Sequence, residues 1–286
     1  MVRRLPVALL RSLFLLALAL VTTPAAAQVH GPAVPPPATR ATGARSRGAT
    51  NGSATTINNA GTIVRTQGTG LATLDKAVVS NSGTASAVVV QTGTLRLSNQ
   101  AGAAETGGGV GTYTAQAGAT LDISGGTYNI GGTLGGAGTL SVSGATLTHT
   151  GTYTGTGVLA VSAGTANWNT GSAMSPGAIV LSGGTSNFNA AAVSTGSLTV
   201  TSATLSGTGT LTLSAGGSGS WSSSTLTGAG RLVIGAGASF TTAGTGNQTL
   251  NGGRVIDNFG TMTLPGPQTV FTSNTTVNNK AGGVFT

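Results

Sequence analysis

The chain has 286 residues, of which 6% are charged and 4% aromatic, with 49 glycines, no cysteine and a formal net charge of +8. So much glycine and so few charges and rings exclude a globular domain of packed helices. The lack of cysteine excludes a disulfide scaffold, so stability must rest on burial and backbone hydrogen bonding.

Residues 1–27 read as a secretory signal peptide: Arg3, Arg4 and Arg11 supply the positive start, residues 12–21 the apolar run, and Ala25-Ala26-Ala27 the small-residue cleavage pattern. The apolar run falls well short of the ~20 residues that span a bilayer. The mature chain is therefore expected to start at Gln28, to carry no transmembrane segment, and to be exported through the inner membrane to the cell surface or beyond. Residues 28–52, with Pro35, Pro36 and Pro37 and the cations Arg40, Arg45 and Arg47, read as a disordered linker.

From Ser53 onward six basic residues (Arg65, Lys76, Arg96, Arg231, Arg254, Lys280) face four acidic ones (Asp75, Glu105, Asp122, Asp257). The basicity belongs mainly to the leader and linker, and no aromatic residue interleaves with the arginines. That is not the pattern of a nucleic-acid groove.

Residues 53–286 read as one repeat domain. Four stretches share an apolar-x-Asn-x-Gly form: INNAG (57–61), VSNSG (79–83), IDNFG (256–260) and, with one residue more, VNNKAG (277–282). Asn and Gly tolerate the left-handed backbone of tight turns, so each predicts strand, turn, strand. Between them runs a second unit, G-x-L-x-V-[ST]-x-G, centred on Leu140, Leu159, Ile179 and Leu198, with related copies at GTLRL (93–97), ATLDI (119–123), GTLTL (209–213), GRLVI (230–234) and GTMTL (260–264). Its apolar residues lie two apart, the period of a strand with one buried face.

A fixed period near twenty residues built from short strands specifies a repeat architecture. The expected fold is all-β: a single-stranded, right-handed parallel β-helix, or β-solenoid, with coils of about 19 to 22 residues. Trp168 and Phe188, each flanked by asparagines, are expected to stack with rings inside and amides outside. Leu147, Leu205, Trp221 and Phe240 are expected to continue that column. The gap from Leu198 to Leu211 is only 13 residues, which means either a shortened coil or strands on different faces of one longer coil. The chain stops at Gly283-Val284-Phe285-Thr286, where a strand should begin, and reads as the front of a longer protein.

The repeats resemble the Gly/Thr/Ser-rich β-solenoid arrays of large exported bacterial surface proteins, the adhesin-like and autotransporter-passenger-like group. The resemblance rests on NNAGTI (58–63), QTGTLRLS (91–98), AGATLDISGGTY (117–128), GGAGTLSVSGATL (135–147) and TLTGAGRLVIGAGASF (225–240). It implies a secreted or outer-membrane-associated structural or adhesive role, with glycans or host and cell-surface components as partners.

Parallel β-helices also carry polysaccharide lyases and glycosidases, which need carboxylates gathered on one face. Carried along the repeat, Asp122 meets Ser141, Ala160 and Val180; Asp257 takes the turn position of Asn58; Asp75 precedes Lys76; Glu105 sits in a Gly/Ala loop. His30 and His149 are singletons without metal-ligand spacing. No catalytic, cofactor or metal site is therefore expected. A third class, ice-binding solenoids, presents Thr-x-Thr at one phase in coil after coil. Threonines alternate from Thr146 to Thr156, but the next coils read TANWNTG and TSNFNAA, so a plain solvated β-surface is expected. The only candidate binding surface is the ladder Asn167, Asn169, Asn187 and Asn189.

Overall fold

Alternation of small polar with apolar residues makes each copy of the unit a strand with one face inward. In the computed structural model, which describes residues 55–99, 106–190, 192–244, 246–265 and 270–286, strands are the regular elements and no helix occurs among the described residues. The expected signal peptide and linker, with His30, lie outside the described residues, as does Glu105. The described residues belong to the unit Gly43–Thr286.

The first coil contains Thr55–Asn59, Thr62–Arg65 and Leu71–Asp75. Each pairs in parallel with its equivalent in the next coil, Ala77–Asn81, Ala87–Val90 and Thr94–Ser98. These define a first, second and third face, and the chain climbs through about ten turns as a parallel β-solenoid.

One inward column of the third face runs Ala72, Leu95, Leu121, Leu140, Leu159, Ile179, Leu198, Gly219, Phe240, Met262, Phe285. From Leu95 to Met262, Gly219 apart, these side chains are buried in a single hydrophobic core. Burial of each such side chain contributes ~1.5–3 kcal/mol, against ~1–2 kcal/mol of backbone entropy per ordered residue. A lone coil of twenty residues therefore does not fold, and stability is a property of neighbouring coils in contact.

The structure decides the gap at residues 198–211. Leu198 lies on the third face and Leu211 on the second, where it pairs with Val193 and Leu232. GTLTL and GRLVI thus belong to the second face, although they share a pattern with third-face copies such as ATLDI. Coil steps run from 19 residues, as between Leu140 and Leu159, to 26 between Leu95 and Leu121, beyond the expected range. The longer step includes residues 100–105, which lie outside the described set.

The single column of large residues also needs correcting. Trp168 pairs with Phe188 as expected, but the residue before it in the column is His149, because Leu147 pairs with Ala166. Leu205 pairs with Ser186 on the first face, whereas Trp221 and Phe240 lie on the third. Steps counted along the chain mix changes of coil with changes of face; only position within the strand separates them.

Corners use two devices. Strands Thr139–His149 and Val158–Trp168 run unbroken from the third face to the first, while Ala192–Thr201 and Thr210–Ser222 run unbroken from the second to the third. At two other corners an Asn-Gly turn closes the chain. The side-chain Oδ1 atoms of Asn59 and Asn258 accept from the Gly61 and Gly260 backbone amides, each at 3.2 Å. Two glycines fit ring against backbone: a Cβ at Gly107 would lie 2.5 Å from the Tyr128 ring, and one at Gly219 2.5 Å from the Phe240 ring.

Candidate functional site

The four asparagines singled out in the sequence flank the stacked rings. Trp168 and Phe188 are buried, with centroids 6.2 Å apart and planes 19° from parallel, and the indole Nε1–H donates to the Ser186 Oγ at 2.9 Å. Asn187 Nδ2 donates to Asn167 Oδ1, and Asn189 Nδ2 to Asn169 Oδ1, both at 2.7 Å. Asn167 Nδ2 reaches Thr148 Oγ1 at 3.4 Å, and Asn189 Oδ1 accepts the Thr208 amide at 3.1 Å. The amides therefore form two short ladders that bond coil to coil. Asn169 and Asn189 are exposed at the corner, while Asn167 and Asn187 are half-buried on the first face.

The carboxylates are dispersed. Asp122 lies on the third face, buried beneath Arg96, whose Nε donates to Oδ2 at 2.8 Å, and it also accepts from Ser143 Oγ at 3.1 Å. Asp257 is not the turn former the sequence suggested. It sits within the second-face strand Val255–Asn258, pairs with Arg231 of one neighbouring coil and with Lys280 of the other (3.3 Å), and accepts from Asn278 Nδ2 at 2.8 Å. Outward strand positions place charged residues of adjacent coils about 4.8 Å apart, so Asp122 and Asp257 each find a cation from a neighbouring coil. Among the described residues, no three His, Asp or Glu side chains gather where they would hold a metal ion.

Two titratable groups lie inside. His149 is fully buried; its Nδ1–H donates to the Ile130 carbonyl at 3.0 Å, and Nε2 has no partner among the described residues. Burial holds this imidazole below its ordinary pKa, opposed in part by its hydrogen bond to the Ile130 carbonyl. Arg254 is buried at a corner with Nε and Nη2 on the Thr227 carbonyl, and desolvation brings its pKa down to about 10. A small space within the core is lined chiefly by Leu121, Ile123, Leu134, Leu140, Leu147 and Trp168.

The threonine alternation from Thr146 to Thr156 does not lie on one face. Thr146 and Thr148 are on the first face, and the chain turns so that Thr152 and Thr154 are on the second. A different hydroxyl row exists, running across the chain. Thr106, Thr127, Thr146, Thr165, Thr185, Thr204, Thr225 and Thr249 pair successively in register on the first face through eight coils. Beside it Asn129, Thr148, Asn167, Asn187 and Ser206 form a second outward column. The signal available in the sequence was the triplet Thr-x-[Asn/Thr/Ser], at TYN, TLT, TAN, TSN, TLS, TLT and TLN. The words TANWN and TSNFN, which looked like breaks in phase, each contribute their first threonine to the row.

No family model, curated protein or solved structure matches the chain.

Proposed function

We propose that this is an exported, non-catalytic β-solenoid that acts at the cell surface as a rigid structural or adhesive element of the adhesin-like kind. The observation that carries the reading is the unbroken third-face ladder from Ala72 to Phe285. Ten steps of ~4.8 Å make it a stiff spacer roughly 48 Å long, with every coil held by backbone hydrogen bonds to its neighbours. The short hydroxyl and amide side chains on its outer faces suit glycans or matrix components. The engagement of Asp122 and Asp257 with cations of adjacent coils favours a scaffolding role for those carboxylates over acid–base work. Export rests on the character of residues 1–27.

The test is binding of the chain to a glycan panel and to cell-surface matrix, alongside a variant with Asn167, Asn169, Asn187 and Asn189 all changed to Ser. Binding by the wild type that falls in the variant supports an adhesive role using the ladder. Equal binding removes the ladder from that role, and turnover of a polysaccharide in the same panel overturns the non-catalytic reading.

A further inference from the structure

We propose that Asn247 and Asn274 are acceptor sites for N-linked sugars. The proposal is independent of the adhesive role and rests on two corners of the solenoid. Each asparagine opens an Asn-x-Thr triplet, Asn247-Gln248-Thr249 and Asn274-Thr275-Thr276; a third triplet, Asn51-Gly52-Ser53, lies outside the described residues. In a chain this rich in Thr and Ser the triplet alone decides little. Its placement in the fold decides more.

Most of the described asparagines are spent on the fold. Ladder amides bond coil to coil, as from Asn187 to Asn167 and from Asn258 to Asn279, and Asn81 donates to the Thr112 carbonyl of the next coil. None of these five is followed two positions later by Ser or Thr. Asn247 and Asn274 differ: both are exposed, and neither carboxamide is hydrogen-bonded among the described residues. The hydroxyls of Thr249 and Thr276 are equally uncommitted. Asn58, Asn129 and Asn251 also keep free carboxamides among the described residues, but lack the hydroxyl two residues on.

Both sites stand at corners that flank the first face in consecutive coils. Asn247 precedes the strand Gln248–Leu250, and Asn274 follows the strand Val270–Thr272 that pairs with it. The backbone amides of Thr249 and Thr276 donate to the Ser224 and Arg254 carbonyls of the coil before, at 3.0 and 3.2 Å. Each hydroxyl is thus carried on a fixed backbone, while the asparagine ahead of it lies outside any strand. Asn274 has a φ of 51°, a left-handed conformation that asparagine tolerates. Its carbonyl accepts from the Gly253 amide at 2.8 Å, so the residue beneath it has no side chain to crowd an added sugar.

A carboxamide nitrogen is a poor nucleophile because its lone pair is shared with the carbonyl. A hydroxyl two residues on comes within hydrogen-bond reach of it when the chain bends as in an Asx turn. That contact needs an amide with no other partner, which the ladder asparagines do not offer. The donor class is a sugar pyrophosphate carried by a nucleotide or by a lipid. The bond from sugar C1 to Asn Nδ2 forms as the bond from C1 to the pyrophosphate oxygen breaks. The pyrophosphate leaves with the electron pair, and one Nδ2 proton passes to a base of the transferring enzyme.

The experiment is intact-mass and peptide mass spectrometry of the full chain purified from the cells that make it. It compares wild type with Thr249→Ala and Thr276→Ala, and with the conservative Thr249→Ser and Thr276→Ser; circular dichroism checks that all retain the same β signal. The expected result is a mass excess of whole sugar residues located on Asn247 and Asn274 and absent from Asn58, Asn129 and Asn251. It is lost at the matching asparagine in each Ala variant and kept in each Ser variant. A sugar already present on cytoplasmic chain that keeps residues 1–27 assigns a nucleotide donor, and one confined to chain without them a lipid-linked donor; either supports the proposal. Bare Asn247 and Asn274 in wild type overturn it, and a sugar on one alone overturns it for the other. Sugars carried only on Ser or Thr hydroxyls, equal occupancy of Asn129, or survival of the modification in the Ala variants also overturn it.

Discussion

One column of the first face holds two chemistries. In the opening coils it contains Asn59 and Asn81; after Gly109 it continues with Ile130, His149, Trp168 and Phe188. Asn59 Nδ2 donates to Asn81 Oδ1 at 2.8 Å, and Asn81 Nδ2 to the Thr112 carbonyl at 3.2 Å, so the amides tie three coils together by direction. The later positions work by area: Trp168 stacks on Phe188 and meets His149 and Tyr153 edge-on at 6.4 and 6.3 Å. The same backbone position accepts either solution, provided that a buried amide is bonded and a buried ring is surrounded. The amide end lies where burial is thin, since the strand Thr55–Asn59 is mostly exposed. There, hydrogen bonding must fix a corner that packing alone would leave loose.

The strongest challenge to this contrast is Trp168→Ala. If the ring end is held by area, the substitution costs ~3–5 kcal/mol in chemical denaturation, and hydrogen exchange should show lost protection in strands Thr139–His149 and Thr185–Phe188. A loss below ~1 kcal/mol would break the comparison. Asn81→Ala comes next. It leaves the Asn59 amide and the Thr112 carbonyl short of a partner and should cost ~1–3 kcal/mol, with hydrogen exchange rising in the first coils and unchanged around Trp168. Loss of protection at Trp168 as well would mean the two ends are one cooperative unit.

The smallest effect distinguishes the ends by pH. The folded state holds His149 neutral with its pKa below the unfolded value of ~6.5. Above that value both states are neutral and stability is unaffected; as pH falls below it, the unfolded chain gains a proton that the fold refuses. Stability should decline by up to ~1.4 kcal/mol per pH unit between pH ~6.5 and ~5. His149→Phe should flatten that slope in pH-dependent denaturation. An unchanged slope would assign it to another group.

What the sequence discloses here follows from what its period measures. Leu140, Leu159, Ile179 and Leu198 were legible as one stack because coil length is nearly constant over that stretch. Leu211 was not, because a strand on the second face obeys the same alternation as one on the third, and the residues do not say which corner they have passed. Trp168 over Phe188 was legible from matching flanks. His149 in the same column was hidden, since a histidine in a threonine-rich stretch carries no mark of being inward. The threonine row was hard to read for a geometric reason: its members are neighbours across hydrogen bonds and some twenty residues apart in the chain, so that only a recurring Thr-x-[Asn/Thr/Ser] triplet marks it. Asp257 misled because its stretch copies an Asn-Gly turn, while its partners Arg231 and Lys280 come from other coils.

The glycines beneath the rings bear on how such a chain changes length over generations. Duplicating a coil between Trp168 and Phe188 sets like against like and preserves both the column and its amide ladders. Inserting one between Gly219 and Phe240 would bring a side chain to where a Cβ already falls 2.5 Å from the ring. Gly107 and Tyr128 form a second such junction. Copy number is therefore free to drift in the middle of the array, while these two junctions are inherited as fixed pairs, so related chains of different length should differ by whole coils between them.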